Sequence, residues 1–513
     1  MPIDLLRATD YTVARFLIER GLAVIYLVAF VVALRQFRPL LGEHGLLPVP
    51  AFVRYVPFRA APSLFHVRYS DRLLVAVAWI GIAISVALVL DLPERAPLPV
   101  TMLAWGVLWA LYLSIVNVGQ LFYGYGWESL LLEAGFLAIF LGNDSTVPAW
   151  PLILLFRWLA FRVEFGAGLI KLRGDPCWRD LTCMYWHHET QPMPNPLSWY
   201  FQRLPKRWHR VEVAGNFAAQ LAAPFLLFLP QPIAAIGAAV MILTQLFLVA
   251  SGNYAWLNWV TIITIVAALP DAFFRAVLPI GAPAGAASAA LTFPAWYAGL
   301  VLALAALIVV LSYWPVRNLL GSRQMMNASF NALHLVNTYG AFGSVTRERY
   351  EIEVEGTTDE RPDDRTEWHA YGFKGKPGDP KRRPRQWAPY HLRLDWQMWF
   401  AALAPYEVER WFLRFVQRLL EADPSTLDLL RVDPFGGRRP AWVRALLYRY
   451  RYTSWDEHRR TGAWWDREPL DEYLSPVRLP SERQAAAADA GRSGPAPPRR
   501  RSAFSALDAP DRG

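Results

Sequence analysis

Two cysteines, Cys177 and Cys183, are all that 513 residues contain. That is too few for a disulfide scaffold, and there is no Cys-x-x-Cys pair of the kind a structural zinc ribbon uses. The chain has no Gly-x-x-x-x-Gly-Lys-Ser/Thr loop, and the Gly-Tyr-Gly at 124–126 is too short to cradle a nucleotide. A Gly-x-Ser-x-Gly elbow is also missing. Ser344, His391 and Asp395 hold the chemistry of a hydrolase triad, but without that turn around Ser344 no catalytic residue is assigned. Neither glycine nor proline is periodic and aromatics are plentiful, which excludes a collagen-like or disordered chain.

What is abundant is apolar sequence. Hydrophobic residues make up 54% of the chain, yet the mean hydropathy is only +0.18. Apolar stretches fill the first three fifths, and most of the charge lies beyond Tyr313. A single soluble globule is therefore excluded. A membrane helix needs about 20 mostly apolar residues to cross a core of ~30 Å. Windows of that kind cover 73–90, 100–118, 150–170, 213–229, 233–250 and 295–311, with weaker ones at 16–34, 126–141 and 256–269. The expected fold is an α-helical multi-pass membrane bundle of about nine transmembrane helices followed by a mixed, β-rich α+β extramembrane domain. Residues 1–317 form the first part and 318–480 the second; 481–513, rich in Ala, Pro, Ser and Arg, should be disordered. Asp4 and Asp10 precede the first span, and no small-residue cleavage site follows it, so it is read as retained rather than as a cleaved signal.

Charges inside the spans are costly unless paired or facing water. Arg157, Glu164 and Lys171 recur every seven residues and so share one helix face. With Glu128, Glu133 and Arg162 they form an expected polar seam between helices. It is either a structural ion-pair network or a path for an ion, proton or substrate.

The least generic stretch is the 171–212 loop, dense in Cys, Pro and Trp. Gly174, Asp175 and Pro176 signal a turn where the preceding helix should end. Pro192, Pro194 and Pro196 hold the residues before them extended. A turn would bring Cys177 and Cys183 within disulfide reach. A metal site with His187 or His188 and a pair of free thiols are the other readings, although C-x5-C-x3-H-H matches no common zinc spacing. No metal or cofactor is expected.

Tyr350, Ile352 and Val354 alternate with Arg349, Glu351, Glu353 and Glu355, the period of a strand with one wet face; Tyr448, Tyr450 and Tyr452 repeat it. Between these strands, 392–403 and 406–422 are expected as helices, the first with Trp396, Trp399 and Phe400 on an apolar face. The basic runs at 381–385 and 498–501 read as solvated surface and tail, with no nucleic-acid partner.

GDPCWRDLTCMYWHHETQPMPNPLSWYFQRLP resembles the hallmark loop of the lipase maturation factor family. SGNYAWLNWVTIITIVAALPDAFF, VNTYGAFGSVTRERYEIEVEGT, KPGDPKRRPRQWAPYHLRLDWQMWFAAL and DPFGGRRPAWVRALLYRYRYTS continue the resemblance, which covers roughly residues 120–475 and is not seen in the first hundred. It implies a chaperone-like membrane protein that helps secreted lipases fold and assemble, with the bilayer and client lipases or other hydrolases as partners. The membrane is that of the endoplasmic reticulum in a eukaryote and the inner membrane in a bacterium. Asp175, Trp178, Arg179, Trp186, His187, Glu189, Pro192 and Pro194 of the loop are the candidate client contacts. Lys and Arg concentrate in 35–72 and 171–210, which by charge alone would place loop and C-terminal domain in the cytoplasm; the resemblance places them on the lumenal side, and long folded loops obey the charge rule weakly. The competing expectation is an integral membrane enzyme or transporter that uses the intramembrane charges.

Overall fold

The computed structural model describes residues 3–277, 291–404 and 408–480. The tail 481–513, expected to be disordered, lies outside the described residues, as does the start of the helix expected at 406–422. Nine helices build most of the first part: α1 (Thr12–Leu41), α2 (Asp71–Val89), α3 (Leu98–Asn117), α4 (Gly126–Ala138), α5 (Trp150–Arg173), α6 (Lys206–Phe217), α7 (Ile233–Ser251), α8 (Leu257–Ile265) and α9 (Ala295–Leu311).

Among the described residues, five helices are long and apolar enough to cross a membrane: Thr9–Leu41, Asp71–Val89, Leu98–Asn117, Ile233–Ser251 and Ala295–Leu320. A sixth follows if Leu257–Ala268 and Asp271–Val277, bent by 111°, count as one span. The nine spans expected from hydropathy windows are not confirmed, for identifiable reasons. Helix α4 has 13 residues, so it rises only about 20 Å. Helix α5 carries Arg157, Arg162, Glu164, Lys171 and Arg173. The window at 213–229 is interrupted by a π-turn over Ala218–Ala222 and by Pro224 in the turn after it.

Helix α1 is the axis of the bundle, and small residues let its neighbours come close. A Cβ at Gly81 of α2 would lie 2.4 Å from the Phe30 ring, and one at Gly135 of α4 would lie 1.9 Å from the Tyr26 hydroxyl. At one end of the bundle, short bridges join Arg7 to Ala149 and Thr146 to Thr292, and Gln231 bonds to Tyr11 and to the Ala268 carbonyl. The opposite end gathers the 171–212 loop, the turn after α7, the segment after α9 and the C-terminal residues.

Those C-terminal residues form a small sheet rather than a β-rich domain. Strands β1 (Arg349–Thr357), β2 (His369–Ala370), β3 (Trp442–Tyr452) and β4 (Trp465–Val477) are antiparallel in the order β2-β1-β3-β4. Helices α10 (Arg393–Leu403) and α11 (Arg410–Leu420) lie between them in sequence. The expected wet face of β1 does not exist: Arg349, Glu351, Glu353 and Glu355 are all buried. Each is paired instead. Arg349 and Lys376 meet Glu351 at 2.6 and 2.8 Å, Arg467 meets Glu353, and Arg444 meets Glu355 at 2.9 Å. Both faces of the strand are covered, so the polar alternation records ion pairing and not solvent.

A buried ion pair lies at the centre of the contact between the C-terminal part and the bundle. Arg393, at the start of α10, donates to Glu128 of α4 at 2.8 Å and to the Phe122 carbonyl at 2.6 Å. Glu128 also accepts from the Tyr112 hydroxyl, and Gln36 of α1 bonds the backbone on either side, at His391 and Arg393. Removing one partner of such a pair leaves an uncompensated charge and costs about 3–5 kcal/mol. Glu128→Gln should therefore lower the thermal midpoint of the purified protein and expose residues 376–392 to protease, whereas Glu348→Gln, on an exposed pair with Arg449, should change neither.

Candidate functional site

The signature loop begins where α5 ends. Gly174 closes the helix, its N–H bonded to the Ile170 carbonyl at 2.8 Å, and Asp175 caps the short turn Pro176–Arg179 by accepting from the Cys177 N–H at 3.0 Å. Asp175 also pairs with Arg347 at 2.9 Å. Burial alone would raise its carboxyl; the hydrogen bonds from Arg347 and from the Cys177 and Val345 N–H groups outweigh it and hold the group below the usual carboxylate range. Cys177 and Cys183 form a disulfide, with Cα atoms 4.8 Å apart. This removes the free-thiol reading, and it takes both sulfurs out of any metal site.

The remaining loop residues face structural partners. Trp178 donates to the Phe342 carbonyl at 2.9 Å, and the Arg347 guanidinium stacks 4.4 Å over the Trp186 ring. Arg179 lies on the surface, bonded to the Leu172 carbonyl. His187 meets the Tyr254 hydroxyl at 3.0 Å; burial, then the nearby His188 and Lys171, push its imidazole down to about 3, so the ring is neutral. The Glu189 carboxylate accepts from the Tyr452 N–H at 2.8 Å.

Two residues that sequence reasoning missed hold the loop in place. Arg349 on β1 donates to the carbonyls of Glu189, Gln191 and Pro192. Asn253, in the turn after α7, donates to the carbonyls of Pro194 and Arg385 and accepts from the N–H groups of Trp387 and Ala388. Arg349 had been read as a solvent-facing strand residue. Asn253 stood in plain view within SGNYAW, but a lone amide carries no sequence signal of what it bonds.

The expected polar seam divides into separate clusters. Arg157 touches no carboxylate: it donates to the carbonyls of Ala267 and Leu227 and to the Tyr11 hydroxyl. Arg162 pairs with Glu133. Glu133 accepts in addition from Asn337 and Tyr339, which fixes the VNTYG segment after α9. Glu128 belongs to the docking contact with Arg393. Glu164 and Lys171 come together only through amides: Gln220 accepts from Lys171 at 2.8 Å and donates to Glu164 at 3.1 Å. Gln245 donates to the other Glu164 oxygen at 2.7 Å and accepts from Asn258. The three charges that share a helix face by spacing therefore do not share a network, because α5 meets a different neighbour at each end.

A cavity of about 870 Å³ lies where these parts meet. From the bundle it is lined by Glu164 and Lys171, from the loop by Trp178, His187 and Pro192, and from α10 by Trp396, Trp399 and Phe400. Tyr339 to Ser344 of the VNTYGAFGSV segment close one side. Glu128, Glu133, Arg157, Arg162, Asp175, Arg179, Trp186, Glu189 and Pro194 are not among its walls.

Two groups among the described residues bring His, Cys or carboxylate atoms together: Asp175 with the two cysteines, whose disulfide removes them as ligands, and His188, His209 and Glu212. In the second, Glu212 lies 2.8 Å from His209 and 3.5 Å from His188. Burial would raise the Glu212 carboxyl, but the hydrogen bonds from the two histidines hold it down at about 2. The i,i+3 spacing of His209 and Glu212 was the sequence signal for this cluster.

Two measurements check the loop. Peptide mapping without reduction should recover residues 177–183 as a cross-linked loop, and Cys183→Ser should cost ~2 kcal/mol from loop closure alone. Asp175→Asn keeps the cap but removes the carboxylate that pairs with Arg347, and should destabilise at neutral pH by up to about 1 kcal/mol. Because the folded carboxyl is depressed, that difference is present above the ordinary carboxylate range and should shrink as the pH falls through the folded value; a difference that grew on acidification would contradict the assignment.

The profile of the lipase maturation factor transmembrane domain matches residues 13–276, and that of the lipase maturation factor C-terminal domain matches 335–475. The likeness thus reaches into the first hundred residues, where no motif had been recognised. Lipase maturation factor 1 of Bos taurus is 41% identical over 92% of this chain and 90% of its own length, and that of Homo sapiens is 41% identical over 92% and 89%. Lipase maturation factor 2 of Gallus gallus is 27% identical over 91% and 81%. No solved structure matches. The two profiles and the two near-full-length relatives at 41% identity place the chain in the lipase maturation factor family, to which it belongs.

Proposed function

We propose that this integral membrane protein assists the folding and assembly of secreted lipases by holding partly folded client against the face built from the signature loop and the C-terminal sheet, without a catalytic step. Family membership carries the reading. The architecture supports it, because the loop is no mobile flap: Arg349, Asn253 and Glu189 fasten it between bundle and sheet, making one rigid surface on one side of the membrane. The Cys177–Cys183 disulfide favours an oxidising, lumenal or periplasmic side for that surface. The N-terminal residues pack at the opposite end of the bundle, which is the arrangement nine passes would give, with α4, α5 and the broken helix after α6 as the passes that are too short, too charged or too interrupted to stand as independent spans.

The test is co-expression of a secreted lipase in cells lacking their own maturation factor. Specific activity per unit of secreted lipase should rise at least tenfold with this chain and should return to background with Arg349→Met, which frees three loop carbonyls. Specific activities that do not respond to the chain for any secreted lipase would end the proposal. A membrane enzyme or transporter remains the second reading because Glu164 and Lys171 line the cavity. Both are already hydrogen-bonded, which favours a structural role. If Glu164→Gln left the protein folded but removed its activity, the second reading would gain.

A further inference from the structure

The cavity has features that a protein-holding platform does not need. Its volume of about 870 Å³ sits within the ~300–1,000 Å³ typical of sites for organic ligands. Its charged wall residues each have an internal partner: Lys171 meets Asn216 and Gln220, Glu164 meets Gln220 and Gln245, and Glu212 meets His188 and His209 through one oxygen, the other having none. The site therefore asks for no ionic group. Its mouth is ringed by exposed apolar side chains, Leu204, Trp208, Val211, Leu243, Phe400 and Leu403. Leu243, 66% exposed, is midway along α7, which is apolar enough to be a membrane span. Facing water, such a ring would be an exposed hydrophobic patch; facing hydrocarbon, it is solvated. Inside, the buried Trp396 ring adds a large apolar surface to the wall.

We infer that the cavity takes an acyl chain of a bilayer glycerolipid, which enters between α6 and α7 and lies against the Trp396, Trp399 and Phe400 rings. The apolar walls hold the chain, the membrane-facing mouth supplies it, and the absence of any unpaired charge selects a neutral or zwitterionic lipid. This does not rest on the client reading, since an occupied cavity and a client-holding face are separate properties.

The glycines provide the test. Gly215 lines the cavity, and a Cβ built there meets nothing within 4 Å. Gly299, on the exposed side of α9, is equally open but lies outside the cavity. The full chain is reconstituted in phosphatidylcholine vesicles containing a small fraction of phosphatidylcholine with a diazirine near the end of one acyl chain, and labelled residues are mapped after irradiation. Labelling should concentrate at 208–216 and 243–248, fall at least fivefold in Gly215→Phe and stay unchanged in Gly299→Phe. Equal labelling of all lipid-facing helices, or no difference between the two variants, would overturn the proposal, as would displacement of the label by an apolar peptide but not by excess unlabelled phosphatidylcholine. If Gly215→Phe fails to fold, native mass spectrometry of the unmodified protein decides: about one co-purifying lipid mass per chain is expected, and its absence after exchange into a mild detergent overturns the inference.

Discussion

Arg393 reaches Glu128 from a position with no exposure to solvent, and the contact joins residues 265 apart in the chain. Much of the structure depends on it. It seats α10 on the bundle, which brings Trp396, Trp399 and Phe400 to the cavity, and it follows residues 385–388, which lie over the turn after α7. A buried charge is tolerated only when its partner is close and its remaining donors and acceptors are met. Tyr112 donates to Glu128, the Phe122 carbonyl takes the same Arg393 nitrogen, and the Tyr123 ring lies 3.3 Å from the guanidinium, covering it where Nε and Nη2 have no hydrogen-bond acceptor. A pair that demanding tolerates one docking geometry and penalises others, a specificity that apolar packing alone would not impose.

The same rule explains how the other interior charges are used. Glu133 and Arg162 fasten the segment after α9, Glu351 gathers Arg349 and Lys376 beneath the sheet, and Arg349 spends its other donors on the loop. Each of these charges lies at a joint between two parts of the chain. This is why a neutralising change at such a site acts on the relation between parts, and why spacing along one helix, which put Arg157, Glu164 and Lys171 on one face, did not predict their partners.

Membrane character, the turn that opens the loop, two of the four strands and α10 were all legible in the sequence, because each rests on a local pattern: apolar runs, a Gly-Asp-Pro turn, period-two alternation, and aromatic residues at helical spacing. The number of spans was not. A window of apolar residues does not reveal that α4 stops at Ala138 or that α5 tolerates five charges because its partners lie on other helices. Nor was the burial of β1 legible, since Glu351 and Glu353 look solvent-facing until Arg349, Lys376 and Arg467, from three places in the chain, are brought beside them. Two-sided burial depends on what the rest of the chain supplies, and one strand's pattern does not encode it.

Lys171 and Glu164 illustrate what the bundle gains from placing amides between charges. A direct pair would draw the two side chains together and fill the wall between them. With Gln220 accepting from one and donating to the other, and Asn216 and Gln245 meeting the remaining groups, both charges stay apart and satisfied while the wall they share stays open. Trp178 of the signature loop then lies over the Lys171 ammonium, its ring centroid 5.2 Å away, so the loop's position is tied electrostatically to the bundle's interior. The loop, the amide chain and the cavity are therefore not three independent features. A change that collapsed the amides, such as loss of Gln220, would move the loop and close the cavity together.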